Sequence, residues 1–410
     1  MSYLIDLRCS TDGTVHSADR LLNNPCPDGG ILEARYDLER LNRDGARETI
    51  AKGPASLWRY APLLPVDRPE KAVTLGEGFT PLLPAPRLGD RLGCANLLIK
   101  DEGRNPSGTF KDRGASVALS RMVELGVDTV VHNSSGNAGG AWALYAARAG
   151  IRCVNLLPGD VMPASLQQSV MAGADTWIVE GPWIEAGPMA KRAAQRHGWF
   201  NVNTLNEPYR LEGKKTMGLE IAEQLDWELP DVVIYPTGGA LGAIAIFKAF
   251  RELQALGWVD RGRRPRLIVA QYDGCAPIVR AFREGRERAE PWQDMDVLPG
   301  GLKSPSPPGD REALRILRES GGTAIAIGRA EALDAARRIV RDEGIFVCPE
   351  GAITLAALTR AIELGLVDRR ERIVLMNTGS GLKSVPNFPL PTPPRIRAGD
   401  EIPSAQRSSF

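Results

Sequence analysis

The sequence predicts an α/β protein built on mainly parallel sheets. Three observations lead there. Between residues 96 and 377, short apolar runs alternate with amphipathic stretches. The runs are rich in valine and isoleucine and are bounded by Gly, Pro or Asn, the mark of buried strands. The stretches between them have helical spacing, and strand–helix alternation is the pattern of parallel sheets.

The strand candidates are TVVH (129–132), IRCVNLL (151–157), TWIV (176–179), DVVIY (231–235), LIVA (267–270) and IVLM (373–376). Helices are expected over 115–125, 140–148, 186–197, 243–256, 330–342 and 353–364. Three regions break the rhythm. Residues 1–50 are polar and turn-rich, and residues 51–95 begin proline-rich and irregular. Residues 385–410, VPNFPLPTPPRIRAGDEIPSAQRSSF, read as an ordered wrap or a disordered end without its own core. No internal repeat is visible.

Length and charge narrow the function classes. A chain of 410 residues has room for about two or three domains. Its 51 basic and 50 acidic residues nearly cancel, which gives no electrostatic case for nucleic acid or an anionic membrane. No apolar run is long enough to span a bilayer, and MSYLIDLRCSTDG lacks the features of a secretory signal, so a cytoplasmic location is the default expectation. Cys9, Cys26, Cys94, Cys153, Cys275 and Cys348 show no disulfide spacing and are expected to be reduced thiols. GxSxG, HExxH and Walker-type motifs are absent, and His16, His132 and His197 are the only histidines. Chemistry must therefore lean on lysine, hydroxyls, backbone amides or a cofactor.

Open α/β sheets bind ligands where strands end and helices begin. Three loops stand at such places. HNSSGNAGG (132–140) offers hydroxyls, an amide and free N–H groups at a helix start, which suits a carboxylate. Its plain alternative is a polar turn whose Ser or Asn caps the helix. YPTGGALG (235–242) lets the backbone approach a ligand and makes a phosphate nest, or else a tight strand-to-helix turn. NTGSGLK (377–383) again brings hydroxyls and glycines to a strand end, or is an ordinary loop.

These loops cradle a phosphate-bearing cofactor but carry no acid–base group. Lys111, in NPSGTFKDRG (105–114), is the reacting residue expected beside them. It lies just ahead of a helix expected to start near Gly114, where the positive end of the helix lowers its pKa. A partly deprotonated amine attacks a carbonyl to form a Schiff base, and pyridoxal phosphate offers such a carbonyl together with a phosphate for the glycine loop.

Several stretches occur in one order: LWRYAPLLP (57–65), LGEGFTPLL (75–83), KDEGRNPSGTFKDRG (100–114), NEPYRLEGKKT (206–216), PEGAITLAAL (349–358) and NTGSGLK (377–383). With them the chain resembles the threonine synthase family, among the fold type II pyridoxal-phosphate enzymes of the tryptophan-synthase-β-like fold. The resemblance spans roughly residues 30–385. It implies two α/β lobes with the cofactor between them: a large lobe from 51–111 and 203–385, and a small mobile lobe over 112–202. Residues 1–50 would form a degenerate zinc-ribbon-like segment and 386–410 a proline-rich tail. Lys111 would hold the cofactor as its internal aldimine, with Phe110 beside the ring and Asn137 on its 3-hydroxyl. Gly238, Gly239, Ala240, Leu241 and Gly242 would present N–H groups to the cofactor phosphate, and Thr378 its hydroxyl to the pyridine nitrogen. Ser134, Ser135 and Gly136 would receive the substrate carboxylate. Arg210, with Asn203 and Thr204 upstream, would hold the substrate phosphate, a task that suits the guanidinium fork.

The activity so implied converts O-phospho-L-homoserine and water to L-threonine and phosphate, in a homodimer acting on a small amino-acid substrate. Ala240 and Leu241 stand where many relatives have glycine and threonine, Ala138 where some have threonine, and Phe79 where Asn or Trp is usual. These departures keep open a different pyridoxal-phosphate lyase or β/γ-replacement enzyme, of the serine/threonine dehydratase kind or from specialised metabolism. Of a ribbon's CxxC pairs only Cys9 and Cys26 remain, with Asp12 and Asp28 nearby, and no zinc is expected. Glu350 reads as a carboxylate favoured at a helix start, and Lys214 as a solvated helix charge.

Overall fold

A computed structural model describes residues 2–181, 183–389, 393 and 395–398; the rest of the 386–410 tail lies outside the described residues. Thirteen strands follow in order: β1 Leu4–Cys9, β2 Val15–His16, β3 Leu32–Tyr36, β4 Leu82–Pro84, β5 Leu97–Asp101, β6 Thr129–Asn133 and β7 Arg152–Pro158. Then come β8 Asp175–Val179, β9 Phe200–Asn201, β10 Val232–Pro236, β11 Arg266–Tyr272, β12 Thr323–Ile327 and β13 Ile373–Asn377. Seven helices matter here: α1 Lys111–Glu124, α2 Asn137–Ala149, α3 Ala186–His197, α4 Tyr209–Gln224, α5 Leu241–Leu256, α6 Arg329–Glu343 and α7 Pro349–Glu363.

The expected α/β architecture is present as two lobes. One sheet has the order β12-β11-β10-β13-β5-β4, parallel apart from the antiparallel edge strand β4. The other has the order β8-β7-β6-β9 and is parallel throughout. Strand β10 shows why its residues are uniformly apolar. Val233 faces a core with Leu219, Ile244 and Phe250 of α4 and α5, whereas Ile234 faces one with Ile339, Ile353 and Leu358 of α6 and α7. A parallel sheet covered on both faces must be apolar on both. The second sheet repeats the plan: Val130 packs with Leu119 and Trp142 of α1 and α2, and Val131 with Ala186 and Ala190 of α3.

The N-terminal segment departs from its turn-rich reading. It forms an antiparallel sheet, β2-β1-β3, and its Leu7, Leu32 and Tyr36 share a core with Leu119 and Met122 of α1. Cys9 is buried beside the Thr11 hydroxyl (3.1 Å). Among the described residues no group of three or more His, Cys, Asp or Glu side chains is gathered to hold a metal.

One ion network fixes the start of α1. Arg113 donates from Nε to Glu102 Oε2 (2.6 Å) and from Nη2 to Glu102 Oε1 and Glu220 Oε2 (both 2.7 Å), and pairs again with Glu220 through Nη1. Lys100 Nζ donates to Glu220 Oε2 at 2.7 Å. All four side chains are fully buried. Burial raises the Glu220 carboxyl, but the Arg113 and Lys100 charges outweigh it and hold it well below the usual range. Glu220 also accepts the N–H groups of Phe79 (2.7 Å) and Thr80 (3.2 Å), which ties LGEGFTPLL to the same cluster.

Candidate active site

Strand ends create the site. The carboxyl ends of β6, β10 and β13 run into loops 133–136, 237–240 and 378–380, and these loops, with the first turn of α1, surround a cavity of about 420 Å³. Helix α1 starts at Lys111 itself, three residues before the expected start. The helix-start argument therefore applies to Lys111 directly. Its amine lies 4.4 Å from the centre of the Phe110 ring. Burial first, then the Arg210 charge, lower its pKa to about 8, against an opposing pull from Glu350.

Most residues singled out in the sequence meet in this cavity. Phe110, Lys111, Ser134, Ser135, Asn137, Asn203, Thr204, Gly238, Gly239, Ala240, Leu241, Gly242 and Thr378 all line it; Gly136 and Arg210 do not. Gly136 has φ +136 and turns the chain into α2. Ser134 Oγ accepts the N–H groups of Gly136 (3.1 Å) and Gly139 (2.9 Å), so this hydroxyl shapes the loop it stands in. Asn137 Oδ1 accepts from Ser165 Oγ at 3.0 Å. The glycine loop opens α5, whose first N–H groups have no acceptor within the helix. Gly242 is needed for contact: a Cβ there would stand 1.7 Å from the Tyr235 hydroxyl. Thr378 accepts the Phe110 N–H on its carbonyl at 3.1 Å, which joins the third loop to Lys111's neighbour.

Arg210 stands behind the wall. It donates from Nη1 to the Thr204 hydroxyl (3.1 Å) and lies 4.7 Å over the Trp142 ring. Its Nε and Nη2 are buried and without hydrogen-bond partners among the described residues. Two residues set aside in the sequence belong here instead. Glu350 lines the cavity and accepts the Gly301 N–H at 2.7 Å. Lys214 also lines it and is 3 % exposed, so it is no solvated charge. Its position four residues after Arg210 was the available signal, since residues so spaced share a helix face.

The residues fit pyridoxal phosphate: a partly buried amine of depressed pKa, an amide-rich loop at a helix start and a hydroxyl all face one cavity. Two lobes with this site between strand ends define a class, the fold type II pyridoxal-phosphate enzymes. The family described as pyridoxal-phosphate dependent enzyme matches residues 73–379. Maize serine racemase superposes with a TM-score of 0.65 at 21% identity, over 82% of this chain and 93% of its own. Threonine deaminase isoform 2 of Solanum lycopersicum gives 0.63 at 19% identity, over 90% and 96%. Among sequences, the threonine synthase of Methanocaldococcus jannaschii is 39% identical over 377 residues, 92% of each chain. That of Methanosarcina acetivorans is 37% identical over 378 residues, again 92% of each. The threonine synthase of Mycobacterium tuberculosis is 35% identical over 332 residues, 80% of this chain and 89% of its own. The chain belongs to the threonine synthase family of pyridoxal-phosphate dependent enzymes.

A pH dependence follows from Lys111. Only the neutral amine attacks a carbonyl, and its fraction grows as pH rises toward about 8. Cofactor uptake by cofactor-free protein should therefore speed up nearly tenfold per pH unit between ~6 and ~7, and level off above ~9. Stopped-flow absorbance reads this directly. A rate still climbing near the ordinary lysine value of ~10.4 would contradict the depressed pKa.

Proposed function

We propose that this chain converts O-phospho-L-homoserine and water into L-threonine and phosphate, as a homodimer in the cytoplasm. The homodimer rests on the family resemblance alone, and the location on the default expectation from the sequence. The observation that carries the reaction is that Lys111 and the Asn203–Thr204 wall line one cavity, with the Arg210 guanidinium behind that wall and bonded to the Thr204 hydroxyl. An amine of lowered pKa would then work near a cation suited to a substrate's distal phosphate.

The bound cofactor supplies an electron sink for negative charge at the substrate's α-carbon. Lys111 would hold it, with the N–H groups of loop 238–242 on its phosphate, Asn137 and Thr378 on its ring and Phe110 packed beside it. A neutral hydroxyl such as that of Thr378 would not favour a protonated ring nitrogen and so would restrain the sink. Ser134, Ser135 and Gly136 would bind the substrate's carboxylate through hydroxyl and N–H donors at the start of α2. Lys111 would take the proton from the α-carbon and move protons at the β-carbon, as general base and then acid. Phosphate would depart from the γ-carbon, which gains a proton to become the methyl group, and water would add its hydroxyl at the β-carbon and return a proton to the α-carbon through Lys111. Arg210 would hold the leaving phosphate through Thr204, whose hydroxyl it orients.

The segment 112–202 would be the lobe that closes over substrate, against a large lobe of 51–111 and 203–385. An ion pair between Lys303, which lines the cavity, and Asp160 (2.6 Å) bridges these two segments and supports that reading.

Arg210→Ala tests the phosphorylated substrate. Loss of a charge-assisted contact should lower kcat/KM for O-phospho-L-homoserine by roughly 10- to 100-fold. Unchanged kcat/KM would remove Arg210 from the phosphate site.

A further inference from the structure

Three buried lysines of this protein are paired with carboxylates. Lys100 meets Glu220 at 2.7 Å, Lys215 meets Glu212 at 2.6 Å, and Lys248 meets Glu212 at 2.9 Å. Buried charges are ordinarily paired in this way. Buried Lys383 has no carboxylate partner among the described residues but donates to the Gln168 amide oxygen. Partly buried Lys111 and buried Lys214 have no carboxylate within ion-pair distance among the described residues either, and both open onto the same cavity. For Lys111 the family explains the exception. For Lys214 nothing above does.

The packing of α4 on α1 sets its position. A Cβ on Gly213 would stand 2.0 Å from the Arg113 carbonyl oxygen, so only glycine permits this approach. Gly114 of α1 faces the stems of Arg210 and Lys214: a Cβ there would meet Arg210 Cγ at 2.8 Å and Lys214 Cε at 3.3 Å. The stem of Lys214 therefore runs past Gly114, and its amine reaches to 4.8 Å from the Phe110 ring centre. Burial, then Lys111 and Arg210, push that amine well below the usual lysine range, with a smaller opposing pull from Glu207. Glu207 itself accepts the N–H groups of Tyr209 (2.7 Å) and Arg210 (3.1 Å). The wall thus gathers three basic side chains, Lys111, Lys214 and Arg210, and no carboxylate lies within ion-pair distance of Lys214 among the described residues.

We propose that Lys214 is a substrate-binding residue whose amine, with the Arg210 guanidinium one helical turn away, holds the substrate's distal phosphate. The inference rests on the reaction proposed above. There the cofactor phosphate takes the glycine loop and the substrate carboxylate takes loop 134–136, which leaves the distal dianion for the α4 face. Lys214 lines the cavity whereas Arg210 stands behind Thr204, so Lys214 is the basic group of this pair with direct access, and a bound phosphate supplies the negative charge that favours its protonated form.

Inorganic phosphate is the probe, titrated by calorimetry into holoenzyme whose visible absorption certifies cofactor loading. Lys214→Gln should weaken phosphate binding by roughly 10- to 100-fold and raise KM for O-phospho-L-homoserine similarly, with kcat changed less than about threefold. Lys214→Arg should recover most of the binding. Phosphate binding unaltered in a loaded Lys214→Gln protein overturns the proposal. If that variant fails to fold, Lys214→Met keeps the stem and the same titration decides. The proposed reaction fails separately, if wild-type holoenzyme forms no threonine; the phosphate titration still supports or overturns the role of Lys214.

Discussion

Lys111→Ala is expected to lower turnover by at least ~10⁴-fold, because one amine both holds the cofactor and moves the protons. The visible absorption of covalently held cofactor should vanish with it. Stability should not fall, since the substitution removes a partly buried amine without a counter-ion and puts alanine in the first turn of α1. Activity assay, absorption spectrum and thermal melt together check this. A variant retaining a tenth of wild-type turnover would remove Lys111 from the chemistry.

The largest effect on stability is expected from Glu220→Ala. The buried network holds two cations, Arg113 and Lys100, against two carboxylates, Glu102 and Glu220. Without Glu220 one buried positive charge is uncompensated, and the Phe79 and Thr80 N–H groups lose their acceptor. Breaking a buried pair from one side costs about 3–5 kcal/mol. Denaturant unfolding should show a midpoint shift of that size. A loss below about 1 kcal/mol would mean that water or a rearranged Glu102 replaces the carboxylate.

These two cases mark what the sequence reveals and what it conceals. Strands such as Val232–Pro236 and Ile373–Asn377 are legible because both faces are buried, which forces a continuous apolar run. Leu97–Asp101 belongs to the same sheet yet gives no such signal, because Lys100 reads as a surface charge until Glu220 is seen beside it. Helix Tyr209–Gln224 is concealed by the same effect: Glu212, Lys215 and Glu220 suggest solvent, although pairing keeps all three inside. Thr323–Ile327 is half alanine and threonine and lies beside two glycines, too weak a pattern to stand out.

For the site, loops at strand ends and the lysine at a helix start carry physical meaning in the sequence alone. Lys214 and Glu350 do not, because each has an adequate local explanation as a helix charge. Only the approach of α4 to α1 across Gly213 and Gly114, joining segments a hundred residues apart, turns Lys214 toward Lys111.

The most direct test of the central claim is to incubate cofactor-loaded protein with O-phospho-L-homoserine and identify the products by mass. The expected result is catalytic formation of L-threonine with one phosphate released per threonine. A protein that keeps its bound cofactor yet forms no threonine would contradict the reaction proposed here, while leaving the pyridoxal-phosphate fold in place.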